Sequence, residues 1–223
     1  MIQFEMRSYT SGKVFRPKPF HGIREESQLQ GIITPWGPIE QAEAVWKRLC
    51  ELFEAPETAQ LTQFSNPLES ETSNRLAQCI RIVHSEIYQS ENAKQLRMGF
   101  EVLIMHEHGG RLHWARVGQP HVILSTERDF HPISYEPDWS WHHGGVCAPL
   151  PTNAIGIETS VQVYSGTMNI FKGNRLILVS RGGLPRRFFA DMAENKVDLK
   201  FLSRSLVDSD ANAPFWLAIG HVI

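Results

Sequence analysis

The order of helix and strand patterns along the chain constrains its fold more than any other feature of the sequence. That order is strand, strand, two helices, a run of strands, two helices and a final strand. Helices that are segregated from antiparallel strands in this way are typical of a layered α+β domain. A doubly wound parallel sheet is not predicted, because strands and helices do not alternate regularly.

Apolar periodicity and turn residues assign each element to a part of the chain. The predicted strands cover residues 2–9, 31–34, 100–104, 112–114, 121–124, 156–163, 175–180 and 215–219. The predicted helices start at Pro38, at a cap formed by Thr72 or Ser73, at Pro185, and near Val197. His108-Gly109-Gly110 is predicted to close a hairpin. Residues 10–30 are expected to be irregular, and residues 126–153 are expected to form a long loop.

Charge and hydropathy exclude several classes of function. With 22 Lys and Arg against 24 Asp and Glu, the net charge of −2 predicts no general attraction to nucleic acid or to anionic membranes. No apolar stretch approaches the roughly 18 residues that a membrane span needs. Residues 1–7 alternate like a strand and do not resemble a signal peptide. The chain length fits a single domain over residues 1–223.

The three cysteines indicate the redox compartment. Cys50, Cys79 and Cys147 are far apart and lack C-x-x-C spacing, which argues against a disulfide framework or a thiolate zinc site. Cys50 and Cys79 fall on apolar faces of helical patterns, so they are expected to be buried thiols. We therefore expect a reducing compartment, the cytoplasm.

Short glycine-containing motifs occur at the ends of the predicted strands. They are Ile32-Ile33-Thr34-Pro35-Trp36-Gly37, Met98-Gly99, Gly118-Gln119-Pro120-His121, Ile155-Gly156, Gly173-Asn174 and Ser180-Arg181-Gly182-Gly183-Leu184, with Ala211-Asn212 before the last strand. In order and spacing, these motifs resemble the strand-end motifs of the type-2C, or PPM, serine/threonine protein phosphatases. The resemblance implies a four-layer α/β/β/α sandwich, in which two antiparallel sheets are flanked by helices.

The resemblance also implies where the family holds two divalent metal ions, through aspartates at strand ends. The aligned positions here are Phe20, Trp36, Arg181 and Ala211. Phe15 stands at the position of the family's phosphate-binding arginine. Hard divalent cations need oxygen ligands, and a guanidinium stays protonated. The resemblance therefore implies a catalytically inactive phosphatase-like domain, a pseudophosphatase, with no cofactor. The alternative is an active metal-dependent serine/threonine phosphatase with non-standard ligands such as Asp208 or Asp210.

A domain without chemistry is expected to act by binding. The aligned vestigial site consists of Trp36, Gly37, Gln119, Arg181, Gly182 and Asn212. There, Arg181 and Trp36 either hold an anionic group by charge and stacking, or Trp36 fills the cleft and Arg181 pairs with a carboxylate. The predicted interface residues are Tyr135, Trp139, Trp141 and His142, since Trp and Tyr are enriched in interface hot spots. We expect an unidentified protein partner, with a homo-oligomer as the other alternative.

Three other patterns have a weaker functional interpretation. His106-x-His108 and the His142-His143 pair contain imidazoles that suit zinc, but turn and loop positions account for both. Ser180 precedes two glycines, yet it lacks the Gly-x-Ser-x-Gly context of a hydrolase nucleophile. None of these patterns therefore replaces the binding hypothesis.

Overall fold

The computed structural model describes residues 2–59, 66–143, 147–194 and 197–223. The strands are β1 (Ile2–Tyr9), β2 (Phe20–Arg24), β3 (Leu29–Trp36), β4 (Gly99–His108), β5 (Arg111–Val117), β6 (His121–Ser125), β7 (Phe130–Ser134), β8 (Tyr164–Asn169), β9 (Arg175–Ser180) and β10 (Phe215–Val222). The helices are α1 (Gln41–Glu54), α2 (Pro56–Ala59), α3 (Glu71–Ile87), α4 (Trp139–His142), α5 (Arg186–Ala193) and α6 (Leu199–Ser209). A π-helical turn at Tyr88–Asn92 follows α3. Gly144 and Gly145 of the predicted long loop lie outside the described residues.

The chain divides into two compact units, each built on one five-stranded antiparallel sheet. The first unit comprises Met1–Lys18, Gln119–Thr152 and Phe171–Ile223, and its strand order is β1-β10-β9-β6-β7. The second unit comprises Pro19–Gly118 and Asn153–Ile170, and its strand order is β2-β3-β4-β5-β8. Two antiparallel sheets with accompanying helices confirm the predicted α+β class.

In the second unit, α1 and α3 pack on the sheet through apolar stripes at helical spacing. The buried side chains of α1 include Val45, Trp46 and Leu49, and they join Ile33 and Val102 of the sheet in one core. Burying one such side chain contributes roughly 1.5–3 kcal/mol. The Ser70 hydroxyl caps α3 by accepting the Ser73 N–H at 3.1 Å, so the predicted cap at Thr72 or Ser73 was two or three residues late.

In the first unit, α5 and α6 pack against β9 and β10. Phe188 of α5 and Leu202 and Leu206 of α6 are fully buried, and they join Ile177 and Leu217 of the strands in the core. The near-continuous apolar run of β9 follows from this position, because its side chains are buried on both faces of the sheet. The predicted strand at 175–180 is therefore confirmed in place and length.

Three strands were predicted wrongly, β2, β7 and β8, and tryptophan packing explains two of them, β2 and β8. β2 lies in the segment predicted as irregular, and β8 replaces the strand predicted at 156–163. In β2 the inward position belongs to Gly22, where a side chain would overlap the Trp46 ring. In β8, a Cβ on Gly166 would lie 3.0 Å from the Trp114 ring, which is a tight contact. Because glycine stands where an apolar residue would signal a strand, the alternation that sequence analysis needs is missing.

Helix starts and the long loop also differ from prediction. The helix expected at Pro38 begins at Gln41, because the Pro38 carbonyl accepts the Gln41 N–H in a turn at 3.3 Å. The segment 126–153 was expected to be a loop, but it contains β7 and α4. The hairpin of β4 and β5 is confirmed, and its two-residue turn has positive φ at both glycines. Within the part of the chain that the structure describes, no helix is long and apolar enough to cross a lipid bilayer.

Candidate functional site

A cavity of about 490 Å³ in the first unit is the candidate functional site. Its wall is formed by the chain after β1, by residues within and after α4, by the chain after β9, and by the end of α6 with the chain that follows it. Three residues of the predicted vestigial site, Arg181, Gly182 and Asn212, line this cavity together with Trp141 of the predicted interface. Residues of the predicted vestigial site and of the predicted interface therefore line the same cavity.

Arg181 follows β9 directly and is 3% exposed. Its guanidinium donates to the Leu206 carbonyl at 2.8 Å, near the carboxyl end of α6, where a cation is favoured by the helix dipole. Burial lowers the pKa of Arg181, the Asp210 carboxylate raises it in part, and Arg16 lowers it further. The carboxylate partner expected for Arg181 thus acts through space, and the direct hydrogen bond goes to a helix end.

Gln119 and His121 hold the backbone at Arg181 in place. The Arg181 carbonyl accepts from Gln119 Nε2 at 2.7 Å and lies 3.0 Å from His121 Nε2. His121 Nδ1 accepts the Glu136 N–H at 3.1 Å, so the proton of a neutral imidazole belongs on Nε2, which donates to the carbonyl. Gln119 was predicted in the vestigial site. It holds the backbone of Arg181 but does not line the cavity.

A buried ion pair between Arg16 and Asp138 was missed by sequence analysis. Their side chains are 2% and 1% exposed, and Arg16 also donates to Gln119 Oε1 at 3.0 Å. Phe15, which was aligned with the family's arginine, is 72% exposed. A shift of one residue would have placed an arginine at that position, but the partner is 122 residues away and no local pattern indicates it.

Asp138 also fixes α4 on the cavity wall. Its Oδ1 accepts the Ser140 hydroxyl at 2.6 Å and the Trp141 N–H at 3.1 Å, as an N-cap does. Gly182 and Gly183 make room for this turn. A Cβ on Gly182 would lie 2.8 Å from the Ser140 hydroxyl, and one on Gly183 would overlap the Trp141 ring. Gly182, which was predicted in the vestigial site, and Gly183 of the same motif thus position Trp141 on the cavity wall.

Trp36 and Gly37 of the predicted vestigial site belong to the second unit. Trp36 Nε1 donates to Glu101 Oε2 at 2.9 Å, and Glu101 is buried. Gly37 lies against the backbone of Arg97 and Met98, with an added Cβ only 3.0 Å from the Arg97 carbonyl oxygen. Trp36 is therefore fixed by a hydrogen bond within its own unit.

Three solved structures are similar to this chain over nearly its whole length. The S. agalactiae serine/threonine phosphatase has a TM-score of 0.68 at 14% identity, with 100% of both chains covered. PppA, described as a key regulatory component of the T6SS in Pseudomonas aeruginosa, has a TM-score of 0.67 at 13% identity, with 100% of this chain and 98% of that chain covered. The Mycobacterium tuberculosis serine/threonine phosphatase PstP/Ppp has a TM-score of 0.61 at 10% identity, with 99% and 98% covered. Neither protein-family models nor curated protein sequences give a match.

The chain has the fold of the PPM serine/threonine phosphatases. The resemblance inferred from the strand-end motifs is thereby confirmed at the level of the fold. Since the identities are 10–14%, the similarity concerns the fold and does not by itself extend to activity.

The PPM fold implies a metal centre, and the residues present do not fit one. Phe20, Trp36 and Arg181 offer no carboxylate at the aligned positions, and Ala211 follows α6 without one. Asp210 is exposed and accepts the Asn212 N–H at 2.9 Å. Among residues 2–59, 66–143, 147–194 and 197–223, no group of three or more His, Cys, Asp and Glu could hold a metal ion.

The predicted interface residues all lie in the first unit. Trp139 and Trp141 are 48% and 46% exposed, and Tyr135 is 43% exposed although its ring stacks on His121 at 4.6 Å. His142 is exposed and meets the edge of Trp139 at 6.1 Å. The Trp139 N–H donates to the Leu150 carbonyl at 3.1 Å, so the exposed Leu150 adjoins the same surface. We call Tyr135, Trp139, Trp141 and Leu150 the aromatic surface.

His106, which was considered as a zinc ligand, lies opposite another histidine on the neighbouring strand. His106 of β4 pairs across the ladder with His113 of β5, and their rings are 6.0 Å apart. The Ser70 and Thr167 hydroxyls each lie 2.9 Å from His113 Nδ1. Burial lowers the pKa of His106 to about 4, with His113, His108 and Arg75 adding to the effect. His106 is therefore neutral at physiological pH and packs against Phe53.

Proposed function

We propose that this chain is a PPM-fold domain that binds a protein partner and does not hydrolyse phosphoesters. One observation carries the proposal: a buried guanidinium, Arg181, stands at the end of β9 where the resemblance implies a metal-binding aspartate. The Arg181 guanidinium donates to a carbonyl at the carboxyl end of α6. The cation at the aspartate position is therefore stabilised by a helix end.

Electrostatics oppose metal binding beside Arg181. At an effective dielectric constant of about 20, a unit charge and a divalent ion roughly 4 Å apart repel by about 8 kcal/mol. Arg16 adds a second cation to the same cavity wall, although Asp138 neutralises it. Asp210, the carboxylate on the wall, could offset only part of this repulsion. A two-metal mechanism needs the opposite sign of charge at this place.

The aromatic surface supports binding as the remaining role. Large aromatic side chains with both exposed and packed faces are the residue types that dominate interface energies. Trp141 is fixed at its inner edge by Gly183 and by the cap on α4, so little conformational freedom is lost when a partner covers it. A rigid aromatic surface beside a cavity is a favourable anchor for a partner protein.

The absence of hydrolysis is tested with p-nitrophenyl phosphate, with and without Mn²⁺. We expect no turnover above the protein-free rate, and we expect Mn²⁺ to leave the unfolding temperature unchanged, because an ion that does not bind the native state cannot stabilise it. The S. agalactiae serine/threonine phosphatase, assayed in parallel, serves as the positive control for phosphoester hydrolysis under these conditions. Mn²⁺-stimulated hydrolysis that is lost in Asp208→Asn or Asp210→Asn would establish the active alternative.

Partner binding is tested by affinity capture from the source cell with the wild-type protein and with Trp139→Ser and Trp141→Ser. We expect each substitution to reduce the captured partner by about 30-fold, as for a hot spot of about 2 kcal/mol. Leu68→Ser is the matched control, because Leu68 is 93% exposed in the second unit. Equal capture by all four proteins would show that the aromatic surface binds no partner.

A further inference from the structure

The Arg181 guanidinium on the cavity wall has N–H groups for which no described residue provides an acceptor. It is almost fully buried, and its one side-chain hydrogen bond to the described residues is the bond from Nη1 to the Leu206 carbonyl. A guanidinium carries five N–H groups in a planar fork. Within the described residues, no carboxylate lies within ion-pair distance of Arg181. A buried cation with unused donors facing a cavity indicates an anionic ligand.

The other charges around the cavity limit what that anion can be. Arg16 is neutralised by Asp138, so this pair adds little net charge. Of the described residues that line the cavity, Asp210 alone carries a carboxylate, and it is exposed. The first negative charge of an anion would pair with Arg181, whereas the second charge of a phosphate would have no further unpaired cation among the described residues of the wall and would be repelled by Asp210. One free cation beside one nearby carboxylate therefore favours a single negative charge.

The rest of the wall is largely apolar. Trp141, Pro149, Pro185 and Pro214 present ring surfaces to the cavity. An anion bound at Arg181 would thus be surrounded by groups that suit a neighbouring apolar side chain. With a volume of about 490 Å³, the cavity admits a few residues of a peptide and is too small for a folded element.

We infer that this cavity binds the carboxylate of an Asp or Glu side chain on an extended segment of the partner protein. The carboxylate accepts from the free edge of the Arg181 guanidinium, and an apolar neighbour in the segment packs against Trp141. The inference rests on the proposed function, because it names the chemistry by which the partner is recognised.

The test is an NMR titration with three blocked peptides at low ionic strength, where charge interactions are least screened. The peptides are Ac-Ala-Leu-Glu-Leu-Ala-amide and its counterparts with Gln and with phosphoserine at the central position. We expect the Glu peptide to bind about tenfold more tightly than the Gln peptide, as a charge-assisted hydrogen bond predicts. It should shift the Arg181 Nε–H and Trp141 indole resonances.

Two variants test the site without removing Arg181, which also caps α6. Asp210→Asn removes the like charge on the wall, so it should tighten the Glu peptide by about threefold. Trp141→Ala should weaken it by about tenfold, because the aromatic wall is lost. Asp129→Asn is the control, since Asp129 is an exposed carboxylate in the β6–β7 turn, away from the cavity lining.

The outcomes separate this inference from the proposed function. Tighter binding of the phosphoserine peptide, equal binding of the Gln peptide, or no binding of any peptide overturns the carboxylate site. Partner capture that depends on Trp139 would then still support the binding module. Metal-stimulated hydrolysis would overturn the proposed function, whatever the peptides do.

Discussion

Asp138→Ala is expected to lower the free energy of unfolding by about 3–5 kcal/mol. The substitution removes the carboxylate that pairs with the buried Arg16 guanidinium, which also donates to Gln119. It also removes the cap that holds Ser140 and Trp141, which is worth about 1 kcal/mol on its own. Urea unfolding followed by far-ultraviolet circular dichroism measures the change as a shift of the midpoint at constant slope.

A double variant separates the charge from the cap. Arg16→Met with Asp138→Leu removes both charges at once, and replacement of a buried ion pair by apolar residues is often close to neutral. We expect the double variant to be more stable than Asp138→Ala by at least about 1 kcal/mol. Asp129→Ala, in an exposed turn, should change stability by less than about 0.5 kcal/mol. If Asp138→Ala were as mild as this control, the buried pair would have no energetic importance.

This ion pair links stability to the candidate site. Asp138 accepts from Arg16 through one carboxylate oxygen and from the Trp141 N–H through the other. It therefore connects the chain after β1 with Trp141 on the cavity wall. Loss of Asp138 should therefore displace Trp141 as well as reduce stability. The same network explains why Gly182 and Gly183 are glycines, since Ser140 and Trp141 occupy the space of their side chains.

Most of the fold could be predicted from the sequence because most elements carry a regular apolar period. The hairpin around Gly109 and the strand 175–180 were placed correctly, since turn glycines and an unbroken apolar run are local signals. β2 and β8 were missed because their inward positions are glycines that lie against tryptophans from elsewhere in the chain. The local sequence shows the glycine but does not show the distant tryptophan that packs against it.

The candidate site was predicted only in part. Arg181 came from the order of strand-end motifs, and Trp141 came from its residue type in a proline-rich segment. Arg16 and Asp138 could not be found, because nothing local distinguishes a buried arginine from an exposed one until its partner is known. The role of Gln119 was also hidden, since its amide bonds the backbone of Arg181 across 62 residues. Long-range pairing of polar groups has no period that a single sequence can show.

Gly31→Val is expected to destabilise the protein by about 3 kcal/mol, the upper part of the range for overpacking. Gly31 of β3 is the cross-strand neighbour of Gly22, and both glycines lie under the Trp46 ring of α1. Gly31 has an ordinary backbone conformation, so the cost comes from the ring and not from the backbone. Because Trp46 is 6% exposed, it has no free space into which it can move.

Trp46→Leu supplies the matched test of this packing in two backgrounds. In the wild-type protein the substitution opens a cavity and should cost about 3 kcal/mol. In the Gly31→Val background it should cost much less, because the smaller leucine leaves room for the valine side chain. Additive effects of the two substitutions in urea unfolding would show that Trp46 does not rest on the glycine pair.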